Sequence, residues 1–453
     1  MFERFKSLID RGAKAEPAAE AERRFILPED RALPVAARAS GGSSIPRFKG
    51  ARAADPALTR DIQSRLRMAF GASQPVSDSR YFAGRQETLA RIIAALEGEG
   101  AHAVVFGERG IGKTSLMHIL ADTARTARYL VIYDSCGADT RFDTMFRSIL
   151  GQIPLIYHKD TPPNSSEAEK GSSFESLLPT GPVSAREASD LLTCVTGTRL
   201  LIVLDEYDRI EDPNFRRQTA ELIKNLSDRM AAVHIIVAGV AEDLDGLIDY
   251  IPSIRRNIAA IEVPGMDTDE VREILRIGSE TSGLAFEDGA AERVAHYAGG
   301  SPYVARLICL YAAIITNADR QSTVTLANIN RGAERVVREW HERMPSAIKR
   351  RLEHPRSPAQ DDLLLAAAIA ADVNHSRFTL SDIREALVEN HMHPPADLRQ
   401  QIERLDLIRC VEQSEPALYA LIDPGLAAYL RLRVRLLQTG THGGKTSKVY
   451  AAR

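Results

Sequence analysis

The chain has 453 residues, 58 Lys and Arg against 61 Asp and Glu, a net charge of −3 and 44% hydrophobic residues. Those values exclude a disordered or fibrous chain. They also exclude a uniformly basic protein that coats nucleic acid by bulk charge, so any such contact must be a local patch. At roughly 100–200 residues per domain the length predicts two to four domains. The four cysteines form no CxxC spacing and sit in mostly apolar runs, which reads as buried reduced thiols. No stretch approaches the roughly 20 apolar residues of a membrane span. No secretory signal opens the chain, so the expected compartment is the cytoplasm.

Residues 1–75 are expected to form a flexible N-terminal region. Met1, Phe2, Phe5, Leu8 and Ile9 have near-helical spacing, and this piece is either a frayed tail or a segment that docks on a partner or membrane surface. The Ala-, Pro-, Gly- and Ser-rich stretch after it cannot bury enough apolar surface to offset its ordering entropy.

From 76 to 266 apolar runs alternate with helical patterns. Strands are predicted at 103–106, 129–133, 200–204, 234–238 and 260–263. Helices are predicted at 114–125 and 142–153. A capping box, Ser184 with Glu187, opens a further helix to about 193, and Asp212-Pro213 fits the N-cap and first position of the next. Residues 157–183 read as a long surface loop. Short apolar strands between helices imply a parallel sheet covered on both faces.

Residues 267–345 are helical in pattern and are expected to form a small helical domain. A charged, Pro-containing connector at 349–360 leads to helices at 361–371, 381–390 and 396–405, then to strands at 407–411 and 417–422. Three helices and a hairpin form a winged-helix pattern within 346–436. Residues 437–453 read as a loose basic tail.

The chemistry concentrates at Gly107-Glu108-Arg109-Gly110-Ile111-Gly112-Lys113-Thr114, followed by Ser115. It fits GxxxxGK[ST] in full, between a buried strand and a helix. The glycines let backbone N–H groups face phosphate oxygens, and the helix N-terminus adds partial positive charge. Lys113 is expected to reach the β- and γ-phosphates of ATP and the Thr114 hydroxyl to ligate Mg²⁺. The run 200–204 then delivers Asp205 and Glu206 to the same sheet edge. Asp205 is expected to hold Mg²⁺ through its water shell, and Glu206 to orient and polarise the attacking water. A similar string ending Gly443-Gly444-Lys445-Thr446 is rejected, because Thr439 stands where the first Gly belongs and no strand leads in.

Loop, intervening strand and acidic pair together resemble the AAA+ class of ATPases. The lead-in Tyr81-Phe82-Ala83-Gly84-Arg85 is similar to the segment near adenine in the origin-recognition and archaeal-ATPase branch, which implies nucleotide contact by Phe82 and Arg85. The resemblance implies a P-loop AAA+ α/β parallel sheet with a helical lid, followed by an α+β winged-helix domain. It implies ATP hydrolysis with Mg²⁺ and a homo-oligomer formed on ATP binding. It also offers Arg255 and Arg256 as an arginine finger toward a neighbouring subunit. Arg306, in Gly299-Gly300-Ser301-Pro302-Tyr303-Val304-Ala305-Arg306, becomes a second sensor of the γ-phosphate. The bland readings are surface arginines and an ordinary helix arginine. One feature departs from the class: the fourth strand ends Val237-Ala238-Gly239-Val240, with no polar side chain where a first sensor is expected, which puts fast turnover in doubt.

Two partner readings follow. In one, the winged helix and basic tail bind DNA and the ATPase remodels DNA or a protein complex. In the other, the chain is a slow nucleotide-gated signalling or defence switch whose winged helix binds an unidentified protein. Arg399, Gln400 and Arg404 share their helix region with Asp397, Glu403 and Asp406, and the wing holds Glu412 and Glu415. The run Arg431, Arg433, Arg435, Lys445, Lys448, Arg453 is a basic patch that compensates in the first reading. His391-Met392-His393 has no third metal ligand near in sequence, and Trp340 reads as a packing anchor.

Overall fold

The computed structural model describes residues 62–161, 171–229, 231–241, 254–354, 357–373, 377–390, 392–413 and 415–441. The amphipathic start, the Gly- and Ser-rich stretch before residue 62, His391 and the basic tail from 442 lie outside the described residues.

The described chain opens with α1 (Ile62–Phe70) and α2 (Gln86–Ile93). It continues through β1 (His102–Gly107), α3 (Lys113–Thr126), β2 (Leu130–Ser135), α4 (Phe142–Gly151) and α5 (Ala185–Leu192). Next come β3 (Leu200–Asp205), α6 (Pro213–Asp228), β4 (Val233–Val240) and β5 (Ile258–Glu262). The five strands form one parallel sheet in the order β2-β3-β4-β1-β5. Every residue of β1 and β3 is buried. Alternate residues feed opposite faces, as the two-residue period of a strand requires. Val104, Ile202, Leu204, Ile235 and Val237 pack with α4, α5 and α6. Ala103, Val105, Leu201, Val203 and Ile236 pack with α2 and α3. The sheet expected from the alternation is therefore present and covered on both faces. Both anticipated helix starts form: Ser184 and Glu187 make a reciprocal capping box, and Asp212 caps α6 with Pro213 in its first turn.

The lid comprises α7 (Thr268–Ser282), β6 (Ala285–Phe286), α8 (Ala290–Ala298), α9 (Pro302–Ala318), β7 (Thr323–Val324) and α10 (Leu326–Arg343). Its core corrects the expectation of a flexible region up to residue 75. α1 is a helix whose Leu66 and Phe70 are fully buried in the lid core. The Phe70 ring occupies the space beside Gly278, where a Cβ would lie 1.9 Å from its Cζ. A small residue in α7 and an aromatic in α1 thus interlock, a pairing that composition does not reveal.

The remaining elements are α11 (Ser346–Glu353), α12 (Pro358–Val373), β8 (Arg377–Phe378), α13 (Leu380–Glu389), α14 (Leu398–Glu403), β9 (Ile408–Glu412), β10 (Leu418–Leu421) and α15 (Pro424–Thr441). β8, β10 and β9 form a three-stranded antiparallel sheet in that order, beside α12 to α14. In chain order these elements run α12, β8, α13, α14, β9 and β10, with β9 and β10 paired antiparallel.

Three sequence expectations need correction here. The connector at 349–360 is mostly helical, divided between α11 and α12. The basic tail does not begin at 437, because α15 runs to Thr441. Its Leu426, Leu430 and Val434, four residues apart, pack into the C-terminal core while Leu432 enters the lid core. The loop at 157–183 is not all surface: Phe174 is fully buried, edge-on to His158, and its N–H donates to the Ile153 carbonyl at 3.0 Å. Among the described residues no helix is long and apolar enough to cross a membrane.

Candidate active site

β1 ends at Gly107, and the loop reaches α3 through Gly110 and Gly112 at φ 81° and 95°. Those left-handed angles favour glycine and turn the chain back tightly over its own N–H groups. Gly112 is the N-cap of α3, so the helix dipole adds to the site. Lys113, the first helical residue, is only 8% exposed. Its Nζ donates to the Gly107 carbonyl at 2.8 Å and the Glu108 carbonyl at 2.7 Å. Burial pushes its pKa down to about 8, opposed by Asp208, Asp205 and Glu108. Ile111 is buried and anchors the loop, Thr114 is half-buried, and Arg109 is exposed. The Ser115 hydroxyl accepts from the Val76 N–H at 3.0 Å and pins the lead-in segment.

β3 lies one strand away from β1, with β4 between them. At strand spacing this separates the phosphate loop and the acids by roughly 10 Å. Asp205 is 3% exposed. Its Oδ1 accepts from the Glu206 N–H at 2.8 Å and its Oδ2 from the Tyr133 hydroxyl at 2.6 Å. Burial, then the Asp205 bond, raises the Tyr133 pKa, so the phenol stays protonated. Glu206 has a left-handed backbone, φ 54°, at the break from β3. Its Oε2 accepts from the Arg209 guanidinium at 2.7 Å and from the Ser135 hydroxyl at 3.2 Å. Asp208 Oδ1 takes the Val240 N–H at 2.8 Å. That backbone contact sits at the end of β4, where the sequence offers no polar side chain for a first sensor.

Gly84 and Arg85 both have left-handed φ, 67° and 64°. Arg85 is buried: its N–H donates to Glu270 Oε1 at 2.6 Å, and its Nη2 donates to the Ile111 carbonyl at 3.3 Å. It thereby links the phosphate loop to the start of α7. Phe82 packs against the core that holds α2 and α3. The lid touches the loop directly, since the Ser301 hydroxyl donates to the Gly110 carbonyl at 3.2 Å and Pro302 lies 3.3 Å from where a Gly112 Cβ would be.

Arg306 is not presented at the sheet edge as a second sensor. It is 7% exposed, and its guanidinium donates to the carbonyls of Ala69, at 3.1 Å, and Tyr81. Burial lowers its pKa. Those bonds hold α1 and the lead-in on the lid. Arg255 and Arg256 are exposed in the turn before β5. Because β5 runs parallel to β1, that turn lies at the opposite sheet edge from Gly107. The structure therefore brings together Gly107 to Thr114, Asp205 and Glu206, adds Arg85, and leaves Arg255 and Arg256 apart.

Residues 81–238 match the AAA ATPase domain family. The chain carries an AAA ATPase domain. No curated protein sequence matches the chain. Solved structures overlap it more widely. The Holliday junction branch migration motor RuvB of Thermotoga maritima is 15% identical with a TM-score of 0.41, over 77% of this chain and 95% of that one. Cdc6p of Pyrobaculum aerophilum is 15% identical with a TM-score of 0.43, over 83% and 98%. A Walker-type ATPase of Pyrococcus abyssi is 16% identical with a TM-score of 0.44, over 79% and 99%. At these identities and scores the overlaps say nothing about activity.

Within the AAA ATPase domain, sequence reasoning missed Tyr133, Ser135, Asp208 and Arg209. The last two follow the acidic pair within three residues, so their proximity was legible. Tyr133 and Ser135 were not, because only the β2–β3 register, Ser135 beside Asp205, brings them to the acids.

Some of the basic residues of the C-terminal domain are engaged within the chain. Arg399 donates to Glu403 at 3.2 Å on the six-residue α14. Arg431, Arg433 and Arg435 are half-buried rather than an open patch, and Arg435 donates to the Tyr297 carbonyl at 3.4 Å.

Proposed function

We propose that the chain binds Mg·ATP at the loop Gly107 to Thr114 and hydrolyses it, with Glu206 as the general base. The observation that carries this is the buried Lys113 amine, aimed at loop carbonyls one strand away from Asp205 and Glu206. The donor set fits Mg²⁺: the Thr114 hydroxyl and the Asp205 carboxylate are hard oxygen ligands. When bound, the ion would neutralise charge that develops on the phosphates. Loop N–H groups and Lys113 bind and orient the phosphate chain. Glu206 takes the proton of the attacking water, its Oε2 being oriented by Arg209 and Ser135. Arg255 and Arg256, exposed at the end of the sheet away from their own phosphate loop, are the residues such a shared site in an ATP-promoted oligomer would use. The proposed compartment is the cytoplasm.

A slow switch, with a protein partner for the winged helix, is favoured over DNA remodelling by one set of observations. Glu206 is tied to Arg209, the lid rests on Gly110, and Arg399 is spent on Glu403. Calorimetric titration of ATP into the full chain and into Lys113→Ala tests the site. The variant should bind at least tenfold more weakly, and equal affinity would overturn the proposal.

A further inference from the structure

We infer that Tyr133 is a positioning residue for Asp205: its hydroxyl fixes the carboxylate in the orientation that receives the metal, without neutralising its charge. The inference rests on the ATPase reading above. The geometry is specific. The phenol donates to Asp205 Oδ2 at 2.6 Å while the Glu206 N–H donates to Oδ1 at 2.8 Å. Each carboxylate oxygen thus has one fixed donor and further lone-pair capacity for a ligand. Both donors are neutral. An arginine in the place of Tyr133 would orient the carboxylate equally well but cancel the charge a cation needs. Glu206, paired with Arg209, shows that alternative on the next residue.

The ring is itself held. His118 of α3 stacks on it with centroids 4.7 Å apart and planes 7° from parallel. α3 begins with Lys113 and Thr114, so one aromatic stack joins the helix that carries the proposed metal-binding hydroxyl to the strand that carries the carboxylate. Tyr133 reaches Asp205 diagonally, from a position opposite Val203. Only a long side chain with a terminal donor spans that offset. Partners that orient a metal-binding group in this way change metal affinity by roughly 10–100-fold when removed.

Tyr133→Phe keeps the ring and the His118 stack and removes only the donor. The full chain is saturated with a non-hydrolysable ATP analogue, and Mn²⁺ is titrated with electron paramagnetic resonance as readout. The half-saturating Mn²⁺ concentration should rise roughly tenfold in Tyr133→Phe. Affinity for the analogue in metal-free buffer should stay within twofold of the parent. In an Asp205→Asn background, Tyr133→Phe should add less than twofold, because the residue acts through Asp205. An unchanged Mn²⁺ midpoint overturns the inference, as does an equal loss of metal-free affinity, which would make the tyrosine a packing residue. Failure of the parent chain to bind the analogue at all would instead overturn the ATPase reading and this inference with it.

Discussion

The C-terminal edge of the five-stranded sheet and the short helix α14 carry similar charged residues but use them differently. At the sheet edge Lys113 donates to backbone carbonyls, and Asp205 accepts from a phenol and a backbone N–H. Neutral partners orient these charges and leave them uncancelled. On α14, Arg399 faces Glu403 four residues on, at 3.2 Å. An exposed pair of this kind contributes little stability, but it cancels the net positive charge that Arg399 would offer a polyanion. A charge held by neutral groups is arranged for a ligand, whereas a charge held by its opposite is already served within the chain. Arg306 crosses that division: like Lys113 it is held by two neutral carbonyls, but they belong to α1 and the lead-in segment rather than to the phosphate loop.

The largest expected effect comes from Glu206, an acid at the sheet edge whose carboxylate is ion-paired with Arg209. Glu206→Gln should bind ATP within a few-fold of the parent and lower hydrolysis by about 100-fold or more, the scale of general-base catalysis. Single-turnover hydrolysis beside a binding titration separates the two. Parallel loss of binding and turnover would make Glu206 structural. Arg209→Ala sharpens the point: if the ion pair restrains the base, turnover should rise in that variant.

Arg306→Ala tests whether that guanidinium is spent inside the fold. Two hydrogen bonds from a buried charged group should cost about 2–3 kcal/mol of stability on removal, read from urea unfolding. Affinities for ATP and ADP should change by the same factor. A selective loss for ATP would return Arg306 to the γ-phosphate.

Much of the site was legible in the sequence because it is local. The phosphate loop and the acidic pair each occupy one continuous segment, preceded by an apolar strand that sets their direction. The fate of Arg306 was not local. It depends on α1, whose Leu66 and Phe70 stand among arginines in a stretch read as flexible. The closing helix α15 was hidden in the same way, since Arg431, Arg433 and Arg435 drew attention from the apolar spacing beside them. Asp208 illustrates a third case. It is visible in the sequence, yet its bond to the Val240 N–H arises only because β3 and β4 are neighbours.

Lys113 gives a smaller effect with a defined sign. Its pKa is about 8 before nucleotide arrives, and phosphate favours the charged form. Binding must therefore take up a proton above that pH, and affinity should fall as pH rises through 8, by about fivefold between pH 8 and 9. Calorimetry at pH 8.5 in buffers of different ionisation heat should show net proton uptake. Affinity independent of pH over this range would place the amine outside the phosphate contact. The same shift makes folding stability rise with pH between about 8 and 10.5, because the unfolded lysine holds its proton longer.

The smallest effect is expected at α14, and its smallness is the test. If Arg399 is occupied by Glu403, Arg399→Ala should change affinity for a duplex oligonucleotide by less than twofold and leave the salt slope unaltered. A phosphate contact would behave differently, reducing the slope by about one on removal. Glu403→Gln supplies the opposite perturbation by freeing the guanidinium. If the ion pair is what keeps this face from a polyanion, Glu403→Gln should strengthen duplex binding and steepen its salt dependence. Arg399→Ala in that background should return both to the parent's values. A drop of threefold or more in Arg399→Ala alone would show that the pair opens for DNA. The contrast between the two regions would then hold only for the unliganded chain, and the DNA-remodelling reading would gain over the switch.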